Sequence, residues 1–173
     1  MLVRKSGMSS LRYIAHGFFV LFAFVLRFTP GLTPLFFGQP AELLLVAALL
    51  ISLYEHDTAG AVAGGCAGLL TDLCTNTLPG FNTAFFMILC AIAGYIVKQY
   101  LTNSALSALI ISAAGTLIYK LVYWLIFTVI SGYGRPFYFL ARYSLVSWAF
   151  TVLLAFPAYY IMRGYRRRFK IMQ

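Results

Sequence analysis

Acidic residues are nearly missing from this chain: four Asp plus Glu stand against 13 Lys plus Arg in 173 residues, and charged side chains make up 10% of the total. A soluble domain of ordinary composition carries roughly 25% charge, so the shortage excludes a water-soluble globular protein. Cysteine is scarce too. Cys66, Cys74 and Cys90 form no CxxC pair, no Cys/His ligand spacing and no disulfide framework, and read as small apolar packing residues. His16 and His56 are the only histidines, and no serine stands at a matching depth to either; there is no GxSxG elbow and no P-loop, which removes that hydrolase chemistry and ATP hydrolysis. Glu55, His56 and Asp57 are adjacent, point in different directions and bring no fourth ligand, so they read as a solvated turn rather than a metal site. An intramembrane enzyme would need paired carboxylates, or a nucleophile and base at one depth. The expectation is a protein that is not an enzyme and holds no cofactor or metal.

What the chain has is apolar length. Apolar residues reach 62%, and the mean hydropathy is +0.87. A formal net charge of +9 would alone suggest a nucleic-acid partner, but the hydropathy assigns the basic residues to membrane topology and excludes nucleic acid. The length allows about six crossings of ~20 residues, with almost nothing left for a water-soluble domain. The fold class predicted is an all-α integral membrane protein, one transmembrane domain over 1–173, with six transmembrane helices and both termini cytoplasmic. The spans fall at about 11–28, 40–56, 58–75, 82–101, 104–130 and 140–162, and a basic tail covers 163–173. The charged start resembles a signal peptide, but TPGLTP follows the first apolar stretch without a small-x-small cleavage site, so that stretch reads as a retained span.

Arg27 closes the first span, where a long side chain reaches the headgroups by snorkelling. Three prolines in the connection TPGLTPLFFGQP prevent a regular helix and place it at the interface or against protein. Pro40 then reads as a first helical residue, with Glu42 in the first turn, where the helix dipole favours an anion. This second span covers only ~25 Å against a ~30 Å hydrocarbon core, which implies local thinning or a partly buried position. In the third, Gly60, Gly64 and Gly68 recur every four residues beside Ala59, Ala63 and Ala67. That small-residue face predicts a close neighbour, either a partner's helix or another helix of the chain. Pro79 and Gly80 make a tight turn, the fifth span is long enough to require tilt, and Pro157 kinks the sixth.

With six crossings and a cytoplasmic N-terminus, nine basic residues fall inside, including Arg4, Lys5, Arg12, Lys98, Arg163 and Lys170, while Arg27, Arg135 and Arg142 flank the outside. The basic tail can meet anionic lipid or an acidic cytoplasmic partner. Among the four acids only Asp72 sits inside a span, which makes it a functional suspect. Asp72 and Lys120 lie ~21 and ~24 Å from the cytoplasmic starts of their helices. The matching depths predict an intramembrane charge pair; the alternative is that each snorkels outward beside Tyr119, Tyr123 and Trp124.

The block from Gln39 to Trp124 carries a resemblance. QPAELLLVAALL, a short polar turn, AGAVAGGCAGLLTDLCTNTLPGFNTAFF and then AGYIV resemble the rod shape-determining protein MreD family. The residues that carry it are Pro40 and Glu42, then Gly68, Leu69, Leu70 and Asp72, then Leu78, Pro79 and Gly80; the inserted Ala41 and the placing of Pro79 depart modestly from the family pattern. The resemblance implies a non-enzymatic subunit of the cell-elongation machinery in the bacterial cytoplasmic membrane. It would bind the single-span scaffold MreC and link MreB filaments to the cell-wall synthases, RodA and a penicillin-binding protein. The glycine face and the PGLTPLFFGQP connection are the candidate contact surfaces. The competing class is the substrate-binding S component of an energy-coupling-factor vitamin transporter. Such a component presents an AxxxA-type face on its first helix, which Ala15, Phe19 and Ala23 match poorly, and its pocket would draw on Thr71, Asp72, Asn82, Lys120 and Thr128.

Overall fold

A backbone surrounded by lipid must satisfy its hydrogen bonds within its own segment, and apolar runs of this length do so as helices. The computed structural model describes residues 2–29, 41–75, 78–100, 104–130, 138 and 140–171, and every regular element among them is helical. The helices are α1 (Leu2–Phe28), α2 (Leu43–Cys74), α3 (Phe81–Tyr100), α4 (Ala105–Trp124) and α5 (Leu145–Ile171). A wider π turn, Leu125–Val129, prolongs α4, and another, Leu140–Ser144, leads into α5. Ser104 caps α4, its hydroxyl accepting from the Ser107 amide at 3.2 Å. Residues 30–40 and 131–137, and with them Pro40 and the PGLTPLFFGQP connection, lie outside the described residues.

Helical structure runs through α2 without the open turn predicted at EHDT, yet the helix doubles back. A Cβ built on Gly60 would stand 2.8 Å from the Ser52 Cα, whereas eight residues of straight helix separate two atoms by about 12 Å. The reversal divides α2 into two arms, α2a (Leu43–Glu55) and α2b (Thr58–Cys74). With no Gly or Pro at Glu55–Thr58 to break the backbone ladder, helical turns carry the bend.

Arm α2a is the centre of the molecule. Every residue from Leu43 to Tyr54 is buried, on all sides of the helix. A helix apolar all round belongs in a core, and this one is enclosed by protein, which removes the need for 13 residues to match the bilayer thickness. Around it the other helices turn large apolar side chains outward, among them Phe18 and Phe22 on α1, Ile88 and Ile92 on α3, Ile110 on α4, and Leu153 and Phe156 on α5.

The glycine face of α2b is used inside the chain. A Cβ on Gly64 would meet the Phe86 carbonyl oxygen at 2.6 Å and the Cys90 Cβ at 2.9 Å; one on Gly68 would meet the Thr83 Cα at 2.5 Å. Pairing with α3, the most extensive contact in the bundle, therefore requires backbone approach that only glycine permits. Ser52 reinforces the junction by donating its hydroxyl to the Cys90 carbonyl, tying α2a to α3. The face is thus already covered by α3 and by Ser52, not left open for a partner's helix. At the other end of α2b, Leu78–Gly80 makes the turn into α3, with Gly80 in the left-handed region at φ +85°.

Three helical stretches are long and apolar enough to cross a membrane: Phe81–Gln99, Ala105–Val129 and Leu145–Gly164. Three shorter apolar stretches, Ile14–Phe28, Leu43–Glu55 and Thr58–Cys74, complete the bundle. Two boundaries differ from the sequence reading: α1 begins at Leu2, and α5 continues past Pro157 and Gly164 through the basic tail to Ile171.

Candidate functional site

Folding gathers the polar residues of the bundle at one end. Glu42, the N-cap residue of α2, is 4% exposed and holds no side-chain capping bond. Its carboxylate instead faces two cations: Lys120 of α4, with Nζ 2.9 Å from Oε1, and Arg27 of α1, whose Nη1 bonds Oε2. Arg27 and Lys120 are 8% and 7% exposed. The Glu42 amide donates to the Thr151 hydroxyl at 3.1 Å, and that hydroxyl donates to the Ser147 carbonyl of α5 at 2.7 Å. One carboxylate therefore joins α1, α2a and α4 through charge and α5 through its backbone. Away from water such bonds are strong, and an unmatched charge is expensive.

The geometry corrects two sequence expectations. Lys120 pairs with Glu42 and not with Asp72. Arg27 does not snorkel to the headgroups; it is buried, its guanidinium held by Glu42 and lying 5.5 Å from the centre of the Phe28 ring. Depth counting alone could not choose among the acids, since Glu42 opens its helix at the same end that Lys120 approaches. The available signal was that Arg27 closes the first segment, Glu42 opens the second and Lys120 lies past the middle of the fifth, all toward one predicted side of the bundle.

Asp72 has a different task. Its Oδ1 accepts from the Asn82 amide at 3.2 Å and from Asn82 Nδ2 at 2.9 Å; its Oδ2 accepts from the Thr83 amide at 2.9 Å and the Thr83 hydroxyl at 2.6 Å. The carboxylate thus closes the start of α3, where unpaired amides and the helix dipole favour an anion. Asn82 in turn accepts from the Tyr119 hydroxyl at 2.9 Å. Tyr119 stands edge-on to Phe86, with ring centres 5.1 Å apart, in an aromatic row that continues through Tyr123 to Phe127. Neighbouring residues of α4 so serve two networks: Tyr119 the Asp72 cap, and Lys120 the Glu42 cluster.

At the opposite end, His16 Nε2 of α1 lies 3.9 Å from the Glu55 carboxylate, and Tyr54 stacks on Tyr159 of α5 at 6.3 Å. Among the described residues no group of three or more His, Cys, Asp or Glu gathers to hold a metal. Of the residues suggested for a vitamin pocket, Thr71 and Thr128 are buried but join neither network.

A helical bundle with a buried, largely apolar central arm, lipid-suited outer faces and charged side chains paired inside defines a helical membrane protein organised by internal packing. The sequence model of the rod shape-determining protein MreD matches residues 8–165, and the chain belongs to that family, whose role is the determination of rod shape. No curated protein and no solved structure matches it.

Proposed function

We propose that this protein is a non-enzymatic scaffold subunit of the bacterial cell-elongation complex. It crosses the cytoplasmic membrane six times with both termini in the cytoplasm, holds the single-span protein MreC, and so links MreB filaments to RodA and its partner penicillin-binding protein. Membership of the rod-shape family across residues 8–165 carries this reading.

The packing supports the six crossings. Arg27, Glu42, Asp72, Asn82, Lys120 and Thr151 meet at one end, while His16, Glu55 and Tyr159 lie at the other, as six antiparallel segments require. Basic residues from Arg163 onward follow the second end, which the positive-inside rule assigns to the cytoplasm. There α5 carries them as a helical extension suited to anionic lipid or an acidic protein surface. Because α3 covers the glycine face, a partner's helix would pack on outward apolar faces such as that of α5, with Leu153, Phe156, Tyr160 and Ile161. Affinity purification of the tagged full chain from membranes tests the reading: recovery of a single-span coiled-coil scaffold supports it. Recovery of ATPases or a tightly held vitamin would replace it with the transporter component.

A further inference from the structure

Two neighbouring features at the Glu42 end have no part in the scaffold reading. The first is a charge excess. Among the described residues Arg27 and Lys120 carry two formal positive charges against the single carboxylate of Glu42, and Arg27 Nε is buried with no hydrogen-bond acceptor. Buried N–H groups are almost always paired, so this donor calls for one more acceptor oxygen, and the charge excess favours an anionic one. The second feature is an apolar groove of about 190 Å³ between α1, α2a and α5, lined by Phe22, Leu26, Leu43, Ala47, Leu154 and Ala158.

The two are continuous along the chain. Leu26 precedes Arg27, Leu43 follows Glu42, and Leu154 lies one turn beyond Thr151, which receives the Glu42 amide. From these positions the groove lining proceeds away from the charges, reaching Phe19 on α1 and Ile161 on α5, seven residues or about 10 Å along each helix. The surplus positive charge thus lies one residue along α1 and α2a from a hydrocarbon-lined groove, with Arg27 in the last turn of α1, where a span meets the interface. The volume holds roughly six water-sized groups, a stretch of one acyl chain.

We propose that this is a binding site for a single anionic phospholipid, with its phosphate on Arg27 beside Lys120 and one acyl chain in the groove between α1, α2a and α5. The guanidinium fork suits phosphate oxygens, and basic pockets between membrane helices are known to take lipid headgroups. The site does not depend on the scaffold reading, since of the partner face named for it only Ile161, at the far end of the groove, is shared.

The test uses delipidated full-length protein in a neutral detergent, with lipid retention read by native mass spectrometry. Phosphatidylglycerol, diacylglycerol of the same acyl chains and glycerol phosphate are the probes. A charge-assisted hydrogen bond corresponds to roughly tenfold in affinity or more, so phosphatidylglycerol should bind at least about tenfold tighter than diacylglycerol, which lacks the phosphate. Arg27→Met should abolish that preference. Ala158→Phe, which fills the groove and leaves every charge in place, should weaken phosphatidylglycerol binding by a similar factor. Equal binding of the two lipids overturns the proposal, as does wild-type lipid binding by Ala158→Phe. Glycerol phosphate binding as tightly as the lipid would reduce the site to a phosphate site and overturn the lipid assignment. If Arg27→Met does not fold, the headgroup comparison on the native chain and the Ala158→Phe variant decide the matter.

Discussion

Replacing Glu42 by Gln changes one atom and removes the only counter-charge that the described residues give to Arg27 and Lys120. The amide still accepts one bond through its oxygen, but it turns an NH₂ group toward the second cation. Two cations then remain in a site where the native side chains are 8% exposed or less. Breaking a buried pair by deleting one partner costs about 3–5 kcal/mol. For a chain of this size that corresponds to a fall in Tm on the order of 10 °C. Lys120→Met should cost less, about 1.5–3 kcal/mol for one charged hydrogen bond, because it leaves Arg27 and Glu42 matched one to one and retains the packing of the lysine stem. Thermal unfolding of the full chain in detergent, followed by circular dichroism, measures both, and the two substitutions combined complete a double-mutant cycle. The Glu42–Lys120 cycle should show a coupling of about 0.5–3 kcal/mol, whereas an Asp72–Lys120 cycle should be additive to within ~0.5 kcal/mol. The reasoning fails if Glu42→Gln is milder than Lys120→Met, or if the Asp72–Lys120 cycle carries the larger coupling.

Gly68→Ala should lower stability by about 1–3 kcal/mol through overpacking against the Thr83 backbone. Gly65→Ala, whose Cβ would meet nothing closer than the Met87 sulfur at 3.8 Å, should be neutral or slightly stabilising in the same melt. Asp72→Ala leaves the Asn82 and Thr83 donors without their acceptor and should cost about 2–3 kcal/mol. Hydrogen exchange should locate that loss in the first turn of α3; protection unchanged there would contradict the capping role. Tyr119→Phe deletes one neutral hydrogen bond to Asn82 and should cost about 1 kcal/mol while leaving the Glu42–Lys120 coupling intact.

Hydropathy settled the helical class and where most apolar segments lie, because a chain in lipid has no other way to pair its backbone. The small-residue period of α2b likewise announced a close neighbour, since three glycines in one row have no other use at that cost. The sequence also marked Asp72 and Lys120 as exceptional, charge within an apolar span being rare and expensive. Which charges meet was another matter. Depth along a helix is a one-dimensional coordinate, and at the Glu42 end four segments offered charges at compatible heights; only the rotation of each helix about its axis selects the neighbour. That rotation follows from packing: α2b drawn onto α3 by its glycines commits Asp72 to the start of α3, and α2a enclosed at the centre presents Glu42 to α1 and α4 together. The same packing turned the glycine face inward and set the groove beside Arg27, because contact between helices depends on side chains distant in sequence, which no local pattern encodes.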